Sequence, residues 1–303
     1  MEIPTFQKVK EEQLQLHPTR KYLYRKLEKF IGRPIVSLYT SFVYPVMLED
    51  NDAEMLEAVL RACDLSKGLA LVINSPGGIG LAAERMINVC KTHSGTGEYM
   101  AIVPNKAKSA ATMVCLGASK IIMGKTSELG PVDPQVTIPV NEKMSRRFSV
   151  YNIVKSYESL FDRAVLAKGN LQPYLQQLAN YDEREIAEYK TALALSDDIA
   201  IKALKGGMLK SMSEDEIKKK IGIFLIPEEK TVVHGRPIYA EDASNCGLTI
   251  DLRKINDEFW RLLYELHIRL DNYVSINRNS KVIECCDKSF SMRWSDNASR
   301  SKE

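Results

Sequence analysis

The 303-residue sequence lacks the features that mark several large classes of protein. No stretch reaches the roughly 18 consecutive apolar residues that a membrane-spanning helix needs, and the first 21 residues lack the apolar segment of a secretory signal. Basic and acidic residues nearly balance, 42 against 39, and no basic stripe suited to nucleic acid stands out. We therefore expect a cytoplasmic protein with no transmembrane segment and no nucleic-acid partner.

The sequence also has little that could hold a metal or a cofactor. Its six cysteines show no ligand spacing, and free thiols in apolar runs usually behave as small hydrophobes. The glycine-rich turn PGGIG at 76–80 lacks both the GxGxxG spacing and the later acidic residue of a dinucleotide site. We expect neither a metal nor a cofactor.

What the sequence does contain is an alternation of strand-like and helix-like segments. Apolar runs at 68–75, 99–104 and 120–125 are typical of buried parallel strands, and the stretches between them have helical periodicity. Strands that alternate with helices predict a parallel α/β core. The segment SELGPVDPQVTIPV (127–140) is too rich in proline and glycine to be helical.

The pattern divides the chain into four parts. We expect a charged helical arm over residues 1–30, the α/β domain with a helical extension over 31–252, an amphipathic helix over 253–276, and a polar, flexible tail over 277–303. The apolar helical faces within 148–205 exceed what one modest sheet needs for its cover. They favour self-association.

Two turns of the predicted sheet could together serve a serine hydrolase. Such an enzyme needs a reactive hydroxyl, a base, and N–H donors for the oxyanion. Gly77 and Gly78 follow one buried strand, and Ser109 stands at the entry to a small-residue helix after the next. Each alone could be a plain turn or a helix N-cap. Because consecutive βα turns share the carboxyl edge of a parallel sheet, we expect the two to lie together.

Four segments resemble the ClpP/crotonase superfamily and, within it, the serine dehydrogenase proteinase (SDH) and signal-peptide-peptidase-like group. They are LVINSPGG, KSAATMVCLGASKIIM, SELGPVDPQ and HGRPIYAEDASNCGL, in that order along the chain. The resemblance implies a ClpP/crotonase-like fold, a peptide or protein substrate, and a homo-oligomer. It also implies that Ser109 is the nucleophile, and that the Gly77-Gly78 turn and Ala110 supply oxyanion or substrate-binding N–H groups, from Gly78 and Ala110.

The sequence departs from the superfamily at the general base. Clp-type peptidases carry a histidine where this chain has Asp133. Signal-peptide-peptidase-like members use a lysine instead, and a buried lysine with a lowered pKa can deprotonate a serine. Lys143 is our first candidate, ahead of Lys155. His234 and Asp133 remain alternatives, although loop lysines are usually solvated and Asp133 beside two prolines is typical of a turn.

Three functions therefore compete. The first is a serine peptidase with an acyl-enzyme on Ser109. The second is acyl-CoA chemistry of the crotonase kind, with Asp133 or Glu128 as the base. The third is a scaffold that has kept the fold and lost the activity, because fold does not imply function. The serine favours the peptidase.

Overall fold

The structure is a computed structural model that describes residues 4–12, 16–141, 144–225, 235–276 and 278–295. The strands are β1 (Ile35–Thr40), β2 (Leu69–Asn74), β3 (Tyr99–Val103), β4 (Lys106–Ala107), β5 (Lys120–Gly124), β6 (Glu128–Leu129), β7 (Gln135–Asn141), β8 (Met144–Ser149), β9 (Ile250–Arg253), β10 (Asn279–Glu284) and β11 (Ser289–Arg293). The helices are α1 (Thr5–Glu11), α2 (Lys21–Ile31), α3 (Asp50–Leu60), α4 (Gly80–His93), α5 (Ala110–Leu116), α6 (Val150–Leu166), α7 (Gln172–Leu178), α8 (Glu183–Lys205), α9 (Glu214–Lys220), α10 (Gly222–Leu225), α11 (Ala240–Asn245) and α12 (Glu258–Ser275).

A seven-stranded sheet forms the centre of the described structure, in the order β11-β10-β1-β2-β3-β5-β9. The five strands from β1 to β9 run parallel, whereas β10 and β11 are antiparallel to their neighbours. The predicted α/β fold is confirmed. Because parallel strands all end at one edge, the loops that follow β1, β2, β3 and β5 meet there.

Both faces of the sheet are covered by helices. Along β1, Ile35 and Tyr39 join the apolar cluster under α2 and α12, while Val36 and Leu38 join the cluster under α3, α4, α5 and α8. This alternation follows from the two-residue period of a strand. Burial on both faces explains why the strands are continuous apolar runs in the sequence.

The prediction of a flexible polar tail is wrong for residues 278–295. Here β10 pairs with β1 and is buried along its whole length. The charges that suggested a tail are paired inside the protein: Glu284 with Arg20 at 2.6 Å, and Lys281 with Asp52 at 2.8 Å. Buried charges are tolerated when they are paired and hydrogen-bonded. Composition alone therefore misidentified a strand.

A row of short extended segments crosses the carboxyl edge of the sheet. Leu48 bridges Gly78, Ser75 bridges Ala107, and β4 pairs with β6. Their backbones hydrogen-bond sideways, as in the 3.0 Å bonds from the Ser75 N–H to the Lys106 carbonyl and from the Lys108 N–H to the Ser75 carbonyl. These hydrogen bonds fix the position of the glycine turn at Gly77-Gly78 relative to the serine turn at Ser109.

Residues 135–149, which include the end of the proline- and glycine-rich segment 127–140, form an antiparallel hairpin. Strands β7 and β8 pair from Gln135 opposite Ser149 to Asn141 opposite Met144, with an irregularity after Pro139. The hairpin lacks the alternating apolar pattern of a half-buried strand because its residues 137–139 and 145–148 are exposed. It stands at the same edge of the sheet as the glycine and serine turns.

Candidate functional site

Ser109 has an unusual backbone conformation. It precedes α5 with φ 51° and ψ −122°, a region that residues with a Cβ rarely adopt. Its side chain makes no capping bond to the helix. A preferred N-cap residue that makes no cap needs another explanation, and strained residues cluster at active sites. In this conformation the Ser109 hydroxyl is not bound to the first turn of α5.

Gly77 lies directly against Ser109. Its φ is 97°, and a Cβ added there would stand 2.5 Å from the Lys108 carbonyl oxygen and 2.7 Å from the Ser109 Cβ. A side chain at 77 therefore meets both a strained dihedral and a backbone atom that cannot move alone. The glycine is needed so that the two turns can approach each other.

Two backbone N–H groups beside Ser109 have no hydrogen-bond partner within the described residues: those of Gly78 and Ala110. The Leu48 N–H donates to the Gly77 carbonyl at 2.8 Å, and the Ile79 N–H donates to the Leu48 carbonyl at 2.9 Å. Successive peptide groups of an extended chain point to opposite sides, so the Gly78 N–H points away from Leu48. The Ala110 N–H belongs to the first turn of α5, which has no intrahelical acceptor.

The entry to α5 is held by side-chain contacts. The Thr112 hydroxyl donates to the Ala107 carbonyl at 2.7 Å and accepts from the Gly130 N–H at 3.1 Å. The Lys108 ammonium donates to the Leu129 carbonyl at 3.0 Å and pairs with Glu128 at 2.8 Å. These contacts tie Lys108 to the β6 segment. Glu128, a candidate base in the acyl-CoA hypothesis, is the partner of Lys108 in this ion pair.

A cleft of about 510 Å³ opens onto Ser109. Its floor is formed by residues 76–79 and Ser109, one wall by the loop 41–47 after β1, and the other wall by Pro134 and the hairpin. The wall residues are Ser41, Phe42, Tyr44, Pro45, Val46, Met47, Pro134, Gln135, Thr137 and Arg147. The sequence reasoning missed both walls. The loop 41–47 could have been found, because it follows β1 at the edge where the other turns lie.

Three of the four histidines lie outside this cleft. His17 contacts the Cys285 carbonyl through Nε2 at 2.8 Å, and His93 lies 3.2 Å from Glu57. His267 is buried on α12 against Tyr39, and burial lowers its pKa to about 4. The fourth, His234, lies outside the described residues.

Asp133 is placed at the base of the hairpin rather than among the residues that line the cleft. It is 1% exposed and accepts a 2.7 Å hydrogen bond from the Ser149 hydroxyl. Next to it, the Val150 N–H donates to the Pro134 carbonyl at 3.0 Å. These contacts join the start of β7 to the end of β8. A catalytic role for Asp133 stays a prediction.

The lysine candidates differ in position. Lys143 lies outside the described residues, between the end of β7 and the start of β8. Lys155 is exposed on α6, with its ammonium 5.6 Å from the centre of the Tyr151 ring. Exposed lysines are normally solvated and charged at neutral pH. The choice of Lys143 as the base stays a prediction.

Two of the cysteines behave as packing residues. Cys90 and Cys115 are completely buried, and burial raises the pKa of Cys90 to about 12. In the described part of the chain, no group of three or more His, Cys, Asp or Glu side chains could hold a metal ion. No described helix is both long enough and apolar enough to cross a membrane.

The part of the chain that carries the candidate site matches a known protein family. Residues 28–152 match the family model described as ClpP-like SDH-type serine proteinase. This region, which contains β1 to β8, Ser109 and the glycine turn, is of the ClpP-like SDH type. The resemblance seen in the sequence is confirmed, and the family is one of serine proteinases.

Two relatives come from the archaeon Methanocaldococcus jannaschii, and both carry the name "uncharacterized protein". One is 29% identical over 242 residues, which are 77% of this chain and 71% of the relative. The other is 35% identical over 107 residues, which are 35% of this chain and 33% of the relative. Neither name assigns an activity.

Two solved structures of a membrane-bound stomatin-specific protease are also similar. One covers 69% of this chain and 93% of its own, with 14% identity and a TM-score of 0.30. The other, in complex with a substrate peptide, covers 74% of this chain and 93% of its own, with 14% identity and a TM-score of 0.29. At such low TM-scores these likenesses add nothing to the family match.

Proposed function

We propose that the protein hydrolyses peptide bonds through an acyl-enzyme on Ser109. The observation that carries the proposal is the conformation of Ser109 on the floor of an open cleft. Ser109 has a positive φ and lies beside the N–H groups of Gly78 and Ala110, which have no hydrogen-bond partner in the described part of the chain. Strain of this kind costs of order 1–3 kcal/mol and persists where the surroundings impose it. A serine that only capped a helix would gain nothing from it.

The chemistry follows from what each group can do. The Ser109 Oγ attacks the carbonyl carbon of the scissile bond and loses its proton to a base, which passes it to the departing amine. The oxygen that becomes negative accepts hydrogen bonds from the Gly78 and Ala110 N–H groups. Loss of one such donor typically costs about 10²–10³ in kcat. Water then attacks the ester and releases the second product.

We assign the base to Lys143. A lysine that accepts the Ser109 proton must be neutral in the resting enzyme, so its pKa must lie well below that of a solvated lysine. Activity should then rise with pH through that lowered pKa. We expect Lys143→Ala to abolish acylation by a fluorophosphonate probe and leave the free energy of unfolding nearly unchanged.

The other candidates supply the matched variants. With Lys143 as base, Asp133→Asn and His234→Ala should retain most of the acylation rate, whereas Lys155→Ala should change nothing. Acylation that survives Lys143→Ala and is lost in Asp133→Asn or His234→Ala would transfer the role to that residue. Mass spectrometry of the protein after timed exposure to the probe distinguishes these patterns.

Self-association is the remaining part of the proposal. The α6–α7 region exposes large apolar side chains: Phe161, Val165, Leu166, Leu171 and Leu175, between 43% and 77% exposed. A concentration of exposed apolar side chains in one region favours an interaction site. We expect light scattering at micromolar concentration to give the mass of a homo-oligomer, and Val165→Glu combined with Leu166→Glu to reduce it. A strict monomer in the unaltered protein would contradict this part.

A further inference from the structure

The hairpin of β7 and β8 has two faces that serve different cavities. Thr137 pairs with Arg147, and both line the cleft above Ser109. Their neighbours Ile138 and Phe148 instead line a separate cavity of about 360 Å³, against α6 and α8. Strand side chains alternate between faces. Arg147 therefore lies on the face of the hairpin that lines the cleft, and its neighbour Arg146 lies on the opposite face.

Arg147 is the charged residue among the described residues that line the cleft. Among its described lining residues, none is acidic and no other is Lys, Arg or His. No described carboxylate forms an ion pair with Arg147. Asp133, at the base of the hairpin, accepts a hydrogen bond from the Ser149 hydroxyl. The guanidinium is therefore exposed at the cleft with its donors available.

The cleft surroundings would strengthen a charge–charge contact there. The facing wall is largely apolar, formed by Phe42, Val46 and Met47 among others. A substrate that fills the cleft excludes water, and interactions between charges grow as the local dielectric falls. A guanidinium offers a planar pair of donors that matches both oxygens of a carboxylate.

We propose that Arg147 is a specificity residue that binds a carboxylate of the peptide substrate. This inference rests on the proposed peptidase function. The carboxylate belongs either to an acidic side chain near the scissile bond or to the free C-terminus of the peptide, since both present the same two oxygens.

The test uses quenched-fluorescent peptides in matched pairs. One set replaces glutamate by glutamine at each position around the cleaved bond, and the other replaces a free C-terminus by its amide. For the unaltered protein we expect kcat/KM to fall roughly ten- to a hundredfold in one of the two sets, as for loss of a hydrogen bond between charged groups. The set that shows the loss identifies the source of the carboxylate.

Variants then assign the effect to Arg147. We expect Arg147→Gln to remove the discrimination, so that the two peptides of each matched pair are cleaved with similar kcat/KM. Arg147→Lys should keep part of it, because the charge remains and the paired geometry is lost. Arg146→Gln, on the opposite face of the hairpin, is the matched control and should leave the discrimination intact.

The outcomes separate this inference from the function on which it rests. Cleavage of the peptides with no preference for a carboxylate, or a preference that survives Arg147→Gln, overturns the role of Arg147 and leaves the peptidase assignment standing. No cleavage of any peptide together with no acylation of Ser109 overturns both.

Discussion

Replacing Ser109 with glycine should abolish acylation and at the same time make the protein more stable than its alanine variant. Glycine adopts the φ of 51° and ψ of −122° without the steric cost that a Cβ incurs. The Ser109 side chain makes no capping bond, so the helix loses no cap when it is removed. We expect Ser109→Gly to exceed Ser109→Ala by about 1 kcal/mol in the free energy of unfolding.

The sign of this difference is the informative quantity. At an ordinary position, glycine is less stable than alanine by about 0.4–1 kcal/mol, because it gives the unfolded chain more freedom. Urea denaturation of the two variants side by side measures the difference, and both lack the nucleophile. If the alanine variant is the more stable one, Ser109 is not strained and the main argument for its reactivity fails.

A large loss of stability is expected for Gly77→Ala. Its Cβ would stand 2.5 Å from the Lys108 carbonyl oxygen, and its φ of 97° is unsuited to alanine. The strained dihedral and the overpacking each cost about 1–3 kcal/mol. The chain can relieve the contact only by moving the segment that carries Ser109. We therefore expect both a large fall in thermal stability and a loss of acylation.

Gly97→Ala is the matched control for this prediction. Gly97 also has a positive φ, 70°, but a Cβ there would meet nothing within 4 Å. It should cost only about 1 kcal/mol, from the dihedral alone, and should leave acylation unchanged. Equal stability of the two variants would show that the glycine turn and the serine turn are not in close steric contact.

The proximity of Gly77 and Ser109 could be predicted from sequence because it depends on local rules. The apolar runs before Gly77 and before Ser109 are long enough to identify two buried parallel strands. Neighbouring parallel strands end at one edge, so the turns that follow them must be close. The structure places Gly77 within contact distance of Ser109, as this rule requires.

The tail and the hairpin could not be predicted because they depend on distant partners. Lys281 and Glu284 suggest a solvated segment until Asp52 and Arg20, more than 200 residues away, are placed beside them. The hairpin has polar and apolar residues in an order that its two separate cavities explain and that no local pattern indicates. Arg147 was overlooked for the same reason.

The base was the least predictable element. A nucleophile and its oxyanion donors come from turns whose geometry is fixed by glycine and by strand ends. A base can instead approach from any segment whose side chain reaches the serine, so geometry decides before pKa does. The sequence could only name Lys143, Lys155, His234 and Asp133 as alternatives.

The most direct test of the whole account is the site of covalent modification by a fluorophosphonate probe. The unaltered protein is incubated with the probe, digested, and analysed by peptide mass spectrometry. The account predicts a single adduct, on Ser109, that is absent after Ser109→Ala. A protein that stays unmodified, or that carries the adduct on a different serine, would contradict it.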